Sequence, residues 1–236
     1  MTLQFRLPTI EDVRDAASRI APFAVHTPLL ESAFLNDLIG ARVLLKAEVL
    51  QRVGSFKFRG AYNAISRIGR DAYPGGVVAC SSGNHAQGVA EAARLCGIPA
   101  VILMPLDAPA IKVARTKRSA PRSCITTAIR RTATPFAAAL ADERRAAFVA
   151  PFDNPHVIAG QGTAGLEIVE QAKLAGADLA AVLVPCSGGG LASGSPWPSN
   201  PPCPIAAFMR SSRRGATISG ARCAAASANA TRPTPA

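Results

Sequence analysis

Residues 76–104 read GVVACSSGNHAQGVAEAARLCGIPAVILM. Gly76-Val-Val-Ala-Cys80 is a short apolar run with two β-branched residues, the composition of a strand buried in a parallel sheet. A turn of small residues follows. His85 to Leu95 is then rich in alanine with helical character, and Gly97 supplies its C-cap. Pro99-Ala-Val-Ile-Leu-Met104 is the next strand, ending at Pro105. Strand, helix and strand in this order make a βαβ unit, whose two strands run parallel.

The alternation continues on the C-terminal side. Ala108 to Thr116 reads as helix, Phe148-Val-Ala150 as a short strand, and Gly162 to Leu174 as a helix closed by Gly176. Leu179-Ala-Ala-Val-Leu-Val184 is a strand that runs into Gly188-Gly-Gly190. Repeated units of this kind give an α/β fold, with ligands held at the carboxyl ends of the strands. At 236 residues, 49% of them hydrophobic, the chain suits one large domain or two modest ones sharing a cleft.

Composition excludes several classes. No apolar run is long enough to span a bilayer, and Met1-Thr-Leu-Gln-Phe-Arg6 lacks the layout of a signal peptide. Six cysteines at irregular spacings form no CxxC pair, which fits a cytoplasmic protein with reduced thiols. The net charge of +11 invites a nucleic-acid reading, but its distribution opposes one. Residues 118–136 carry four arginines and no acid, and residues 195–236 carry five arginines and no acid. Without these nine the chain has 17 basic and 15 acidic residues, and no nucleic-acid motif accompanies the arginines.

Three segments carry chemistry. In Gly54-Ser-Phe-Lys-Phe-Arg-Gly-Ala61, the two phenylalanines partly desolvate Lys57. Desolvation favours the neutral amine that a Schiff base needs, and Arg59 is expected to push the same way. From these eight residues alone, a surface lysine on an amphipathic helix is the commoner arrangement. Ser81-Ser-Gly-Asn-His-Ala-Gln-Gly88 sits where a strand meets a helix N-terminus, either a plain helix cap or a turn offering free N–H groups. Pro185-Cys-Ser-Gly-Gly-Gly-Leu191 follows a strand, either a linker or a phosphate cradle of converging N–H groups.

Taken together and in this order, the segments resemble the pyridoxal-phosphate (PLP) dependent threonine and serine dehydratases, including the serine racemase and threo-3-hydroxyaspartate ammonia-lyase branch. His26-Thr-Pro-Leu29, Met104-Pro-Leu-Asp-Ala-Pro109 with Lys112-Val-Ala114, and Val157-Ile-Ala-Gly-Gln-Gly-Thr163 are similar to family segments as well. The resemblance covers roughly residues 10–117 and 137–194. It implies a fold type II (tryptophan synthase β-like) architecture of two open parallel-sheet domains with the C-terminal part missing. Residues 1–52 and 150–194 would belong to the large domain and 53–149 to the small one, with 195–236 a disordered or aberrant tail.

By the same resemblance Lys57 would hold the cofactor beside Phe56 and act as the base at Cα. Asn84 would bond the cofactor's ring hydroxyl, and Ser187, Gly188, Gly189 and Gly190 would cradle its phosphate. Ser187 stands where the family has a first glycine. Ser81, Ser82, Gly83, Asn84 and His85 would receive the substrate carboxylate. Ser82 resembles the serine that faces the lysine across the cofactor in serine racemases. Val49 and Val53 stand where the family shows polar residues. The family's partner for the pyridine nitrogen lies in a part absent here, as do acids that hold Mg2+ in many members, so no metal residue is named. The implied activity is β-elimination of a hydroxy amino acid such as threonine or serine to a 2-oxo acid and ammonia, in a homodimer. Racemisation, β-replacement and an inactive truncated relative remain open beside it.

Residues 118–136 and 195–236 lack any consistent period. Back-translated with G- or C-ending codons and shifted by two bases, the first becomes LGAEVVHHDRYPADRDAV and the second acquires PDRRVHAVEPEGRDDLGRSL. Both products contain strand-like runs and ordinary acids. The expectation is that both segments are frame-shifted translations, the first returning to frame near Ala137.

Overall fold

The computed structural model describes residues 8–81, 83–119, 124–129, 133–195 and 205–209. Helix α1 (Ile10–Ile20) opens on a capping box, in which Thr9 and Asp12 satisfy each other's backbone N–H groups. Strand β1 (Leu29–Glu31), helix α2 (Ala33–Ile39) and strand β2 (Leu44–Lys46) follow, with β1 and β2 paired antiparallel. Two short 3₁₀ turns, Glu48–Leu50 and Arg52–Gly54, lead to α3 (Lys57–Ile65), which is buried along almost its whole length.

The central sheet is built from β3 (Val77–Cys80), β4 (Ala100–Pro105), β5 (Cys124–Ile129) and β6 (Ala147–Phe148), all parallel, in the order β5-β4-β3-β6. Helix α4 (Asn84–Cys96) crosses from β3 to β4 and ends on Gly97 in the left-handed conformation, as the sequence predicts. Helices α5 (Ala110–Ser119) and α6 (Ala133–Glu143) complete the crossovers. The strand order reverses between β3 and β6. The carboxyl ends of strands beside such a reversal are the usual ligand position in an open α/β sheet.

Helix α7 (Pro155–Leu174) starts seven residues earlier than its sequence periodicity suggests. Asn154 caps it by accepting from the N–H groups of His156 and Val157, with Pro155 in the first turn. Glycines mask this start in the sequence, and the packing explains them. A Cβ on Gly160 would lie 2.6 Å from Gly60 Cα and 2.7 Å from Arg59 O, so α3 and α7 touch backbone to backbone. Gly162 likewise leaves room for the Gly194 carbonyl of α8 (Gly190–Gly194), which follows β7 (Val182–Cys186).

Two elements fall within the irregular segments. Residues 118–136 contain β5, which pairs in register with β4 from Ala100↔Cys124 to Pro105↔Ile129, and the start of α6. Cys-Ile-Thr-Thr-Ala-Ile carries enough β-branched residues to make a strand. Within the expected tail, Ile205–Met209 forms β8, parallel to β7. The rest of that tail lies outside the described residues.

The main core joins Phe58, Ala61 and Ile65 of α3 with Val77 and Ala79 of β3, Ala86 and Val89 of α4, and Ile102 and Met104 of β4. Burying such side chains stabilises by roughly 1.5–3 kcal/mol each. The same packing fixes α3 and α4, and with them Lys57 and the Ser81–His85 turn.

Candidate active site

Lys57 is the first residue of α3, presented by a tight loop. Gln51 anchors that loop, accepting from Val25 N and donating to Val25 O. Val53 has φ 60°, a left-handed conformation that a β-branched residue rarely adopts, and Gly54 follows with φ 75°. Strain of this kind, about 1–3 kcal/mol, is held in place by the surrounding structure and tends to cluster at functional sites.

The Lys57 ammonium donates to Pro151 O at 2.8 Å and lies 5.2 Å from the centre of the Phe56 ring. It has no carboxylate partner among the described residues, and burial pushes its pKa down to about 8. The expected help from Arg59 is not found. That guanidinium is fully buried on the other side of α3, where it bonds Glu48 at 2.7 Å and Glu167 at 2.6 Å. Burial opposes its charge, but the two carboxylates outweigh burial and raise its pKa. Residues two apart on a helix do not share a face, so Arg59 braces α3 against α7 and the Glu48 turn instead of tuning Lys57.

The second segment meets Lys57 from β3 and α4. Gly88 lets α4 approach the start of α3, since a Cβ there would lie 3.1 Å from the Lys57 carbonyl carbon. Buried His85 bonds Val149 O through Nε2 at 3.0 Å, while its Nδ1 has no partner. Burial, aided by the charge of Lys57, pushes its pKa down to about 4, so the ring is neutral at ordinary pH. Accepting a proton donor, the Val149 carbonyl fixes the tautomer with Nε2 protonated and Nδ1 free to accept. Ser81 Oγ accepts from Gly83 N at 3.1 Å, and the side chain of Asn84 is exposed. Ser82 lies outside the described residues.

The glycine turn joins through Phe152. Pro151 accepts from Lys57, and the next residue, Phe152, packs its ring directly over Gly188 and its Cβ near Gly190, where a side chain would collide. Gly189 has φ 83° and caps α8, and Ser187 is exposed. The stretch Val149–Phe152, following β6, therefore touches all three segments singled out in the sequence. Sequence reasoning did not name it, although its place at the end of a parallel strand was signal enough. Among the described residues, no group of three or more His, Cys, Asp or Glu is placed to hold a metal, and no helix is long and apolar enough to cross a membrane.

The residues present fit pyridoxal phosphate. They supply a desolvated amine with no counter-ion, a buried imidazole nitrogen without a partner, and a glycine turn whose close backbone approach no Cβ would permit. The model of the family described as pyridoxal-phosphate dependent enzymes matches residues 20–197. L-threo-3-hydroxyaspartate ammonia-lyase of Saccharomyces cerevisiae is 45% identical over 189 residues, covering 80% of this chain and 57% of that protein. Serine racemase of Schizosaccharomyces pombe is 43% identical over the same length, covering 80% and 57%. The structure of maize serine racemase superposes with a TM-score of 0.78 at 36% identity, covering 86% of this chain and 61% of that one. A crystal structure of threonine deaminase superposes with a TM-score of 0.77 at 42% identity, covering 86% and 65%. The chain thus spans a little over half the length of the two curated relatives.

Proposed function

Since the chain belongs to the pyridoxal-phosphate dependent enzyme family, we propose that it carries the cofactor site of an ammonia-lyase that removes the β-hydroxyl and amino groups of a small hydroxy amino acid. The reading rests on one observation above the others. The partly desolvated Lys57 amine bonds the Pro151 carbonyl just after β6 and, among the described residues, has no carboxylate partner.

Lys57 would hold the cofactor covalently, with Phe56 beside it, Asn84 near its ring hydroxyl, and Ser187 with Gly188, Gly189 and Gly190 at its phosphate. When bound, pyridoxal phosphate supplies an electron sink for negative charge at the substrate's Cα. Once released, the Lys57 amine removes the Cα proton. A pKa near 8 leaves about a tenth of the amine neutral at pH 7, far more than an ordinary lysine offers, and still lets it bind the proton firmly. Ser81, Gly83, His85 and the N-terminus of α4 receive the substrate carboxylate, together with Ser82. His85 takes part there through its backbone N–H, since its neutral Nδ1 is an acceptor and does not bond a carboxylate. Packing of Phe152 over the glycine turn keeps bulk water from that side of the site.

The products are a 2-oxo acid and ammonia. The two-domain division at residues 52/53 and 149/150 belongs to the same proposal, as do a cytoplasmic setting and a homodimer. The exposed apolar side chains of Phe34, Leu38 and Val49 suit burial against further protein. Serine racemisation is the second reading, favoured by the likeness to the fission-yeast racemase. Incubation with L-serine, L-threonine or 3-hydroxyaspartate tests the choice. Release of a 2-oxo acid that Lys57→Ala abolishes supports elimination. D-serine formation without 2-oxo acid would replace it by racemisation.

A further inference from the structure

Four charged side chains, Lys46, Glu48, Arg59 and Glu167, form a largely buried network that no step described so far uses. Glu48 precedes the loop that presents Lys57, and Arg59 stands two residues beyond it. The Arg59 guanidinium makes two paired contacts. Its Nε and Nη2 donate to Glu48 Oε2 and Oε1 at 2.8 and 2.7 Å. Its Nη1 and Nη2 donate to Glu167 Oε1 and Oε2 of α7 at 2.6 and 2.8 Å. Thr27 Oγ1 donates to Glu48 Oε1 at 2.6 Å, and the Lys46 ammonium pairs with Glu167 at 2.6 Å. Two cations thus balance two anions.

Stability alone is a poor reason for such a network. A buried ion cluster is often replaced by apolar side chains at no cost to stability, because taking its charges out of water offsets their attraction. What paired guanidinium–carboxylate contacts add is direction, since both partners are planar and each pair fixes an angle as well as a distance. Here they fix the two ends of the segment 48–59 to each other and to α7. Inside that segment Val53 and Gly54 have φ of 60° and 75°. A strained backbone of this kind persists only where its surroundings over-determine it. Freed at one end, the loop would relax, and Lys57, the first residue of α3, would move with it.

We propose that Glu48 and Arg59 are positioning residues: by clamping the two ends of the Lys57 loop to each other and to Glu167, they hold the amine where it meets cofactor and substrate. This rests on the reading of Lys57 as the amine that carries the cofactor. Arg59 lies on the other side of α3, so the clamp sets where the amine stands and leaves its proton affinity alone. The turn at 81–85 and the glycines at 187–190 lie outside the clamp, so binding of the substrate carboxylate and of the cofactor phosphate is spared.

The experiment compares three full chains: wild type, Glu48→Gln, and the double variant Glu48→Gln with Arg59→Met. The double variant removes one cation and one anion together and leaves Lys46 paired with Glu167. Pyridoxal phosphate is added, the link is reduced with borohydride at timed intervals, and the label on Lys57 is quantified by peptide mapping. Urea denaturation of the cofactor-free chains shows that each is folded. The rate of linkage to Lys57 should fall by roughly tenfold or more in the double variant, the scale set by a misplacement of about 1 Å. The pH midpoint of that linkage should stay where it is in the wild type. With L-serine, kcat should fall by a similar factor while KM stays within about twofold. Glu48→Gln keeps an acceptor for Arg59 and should show the same pattern more weakly. A folded double variant that links the cofactor as fast as the wild type overturns the proposal and leaves the reading of Lys57 standing. So does a fall in kcat matched by an equal rise in KM, which marks general loosening of the site. Should the double variant fail to fold, Glu48→Gln decides, and an unchanged linkage rate there overturns the proposal. Absence of label from Lys57 in the wild type removes the underlying reading and the proposal with it.

Discussion

Replacing Lys57 by methionine should make the cofactor-free chain more stable at neutral pH. Burial lowers the lysine's pKa from 10.5 to about 8. Taken in full, that fall corresponds to ~3.4 kcal/mol of unfavourable charge burial. Lys57 is only partly buried, so screening by solvent reduces the figure to about 2–3 kcal/mol. Losing the hydrogen bond to Pro151 O gives back about 1 kcal/mol. Methionine is of similar length and is at ease beside Phe56, so the expected net gain is about 1–2 kcal/mol. The sign fixes a pH window. Below pH 8 the lysine is charged in both folded and unfolded chains, and the cost is present in full. Between pH 8 and 10.5 the folded chain has lost the proton while the unfolded one keeps it, so the wild type gains stability and the advantage of methionine shrinks. Above that range the advantage disappears. Urea denaturation of both proteins from pH 7 to pH 11 reads this directly. A methionine variant no more stable at pH 7, or a difference that stays flat across the series, would refute the account of Lys57 as a desolvated amine.

Neutral His85 makes a prediction on the acid side. Its folded pKa of about 4 lies below the ordinary 6.5, so unfolding takes up a proton and stability falls as pH drops from 6.5 to 4, by at most ~3.4 kcal/mol. Denaturation midpoints over that range should decline in the wild type and decline less in His85→Leu. Arg59→Met removes the shared partner of Glu48 and Glu167 and should cost about 3–5 kcal/mol, measured by urea denaturation. Adding Glu48→Gln and Glu167→Gln should recover much of the loss. Sequencing the coding DNA across codons 115–140 and from codon 190 past the stop is expected to show a displaced base at each irregular segment. An unbroken frame at both would end the frame-shift reading.

The β3-turn-α4-β4 unit was legible because its elements carry different periods and are separated by Gly, Pro and small residues. Lys57, the Ser81–His85 turn and the glycines at 188–190 were singled out only by their joint likeness to family segments, since each alone has a commoner structural reading. What the sequence concealed were contacts made by backbone. Val149 and Pro151 act through their carbonyls, which leave no trace in residue type. The start of α7 was hidden because Gly160 and Gly162 lower helix propensity, and only the close passage of Gly60 and Gly194 shows why they are there. The direction of Arg59 was available in principle, since a residue two places from Lys57 on a helix faces away from it. The irregular segment at 118–136 hid a strand. Its composition departs from the rest of the chain, yet Cys124–Ile129 still completes the parallel sheet beside β4.

The central claim is that Lys57 is the amine that holds pyridoxal phosphate. Incubating the chain with the cofactor, reducing the link with borohydride and mapping the modified peptide tests it most directly. The account predicts a single label, on Lys57, that is lost in Lys57→Ala while Lys46 and Lys112 remain unmodified. A label on another lysine, or one spread evenly over the exposed lysines, would contradict it.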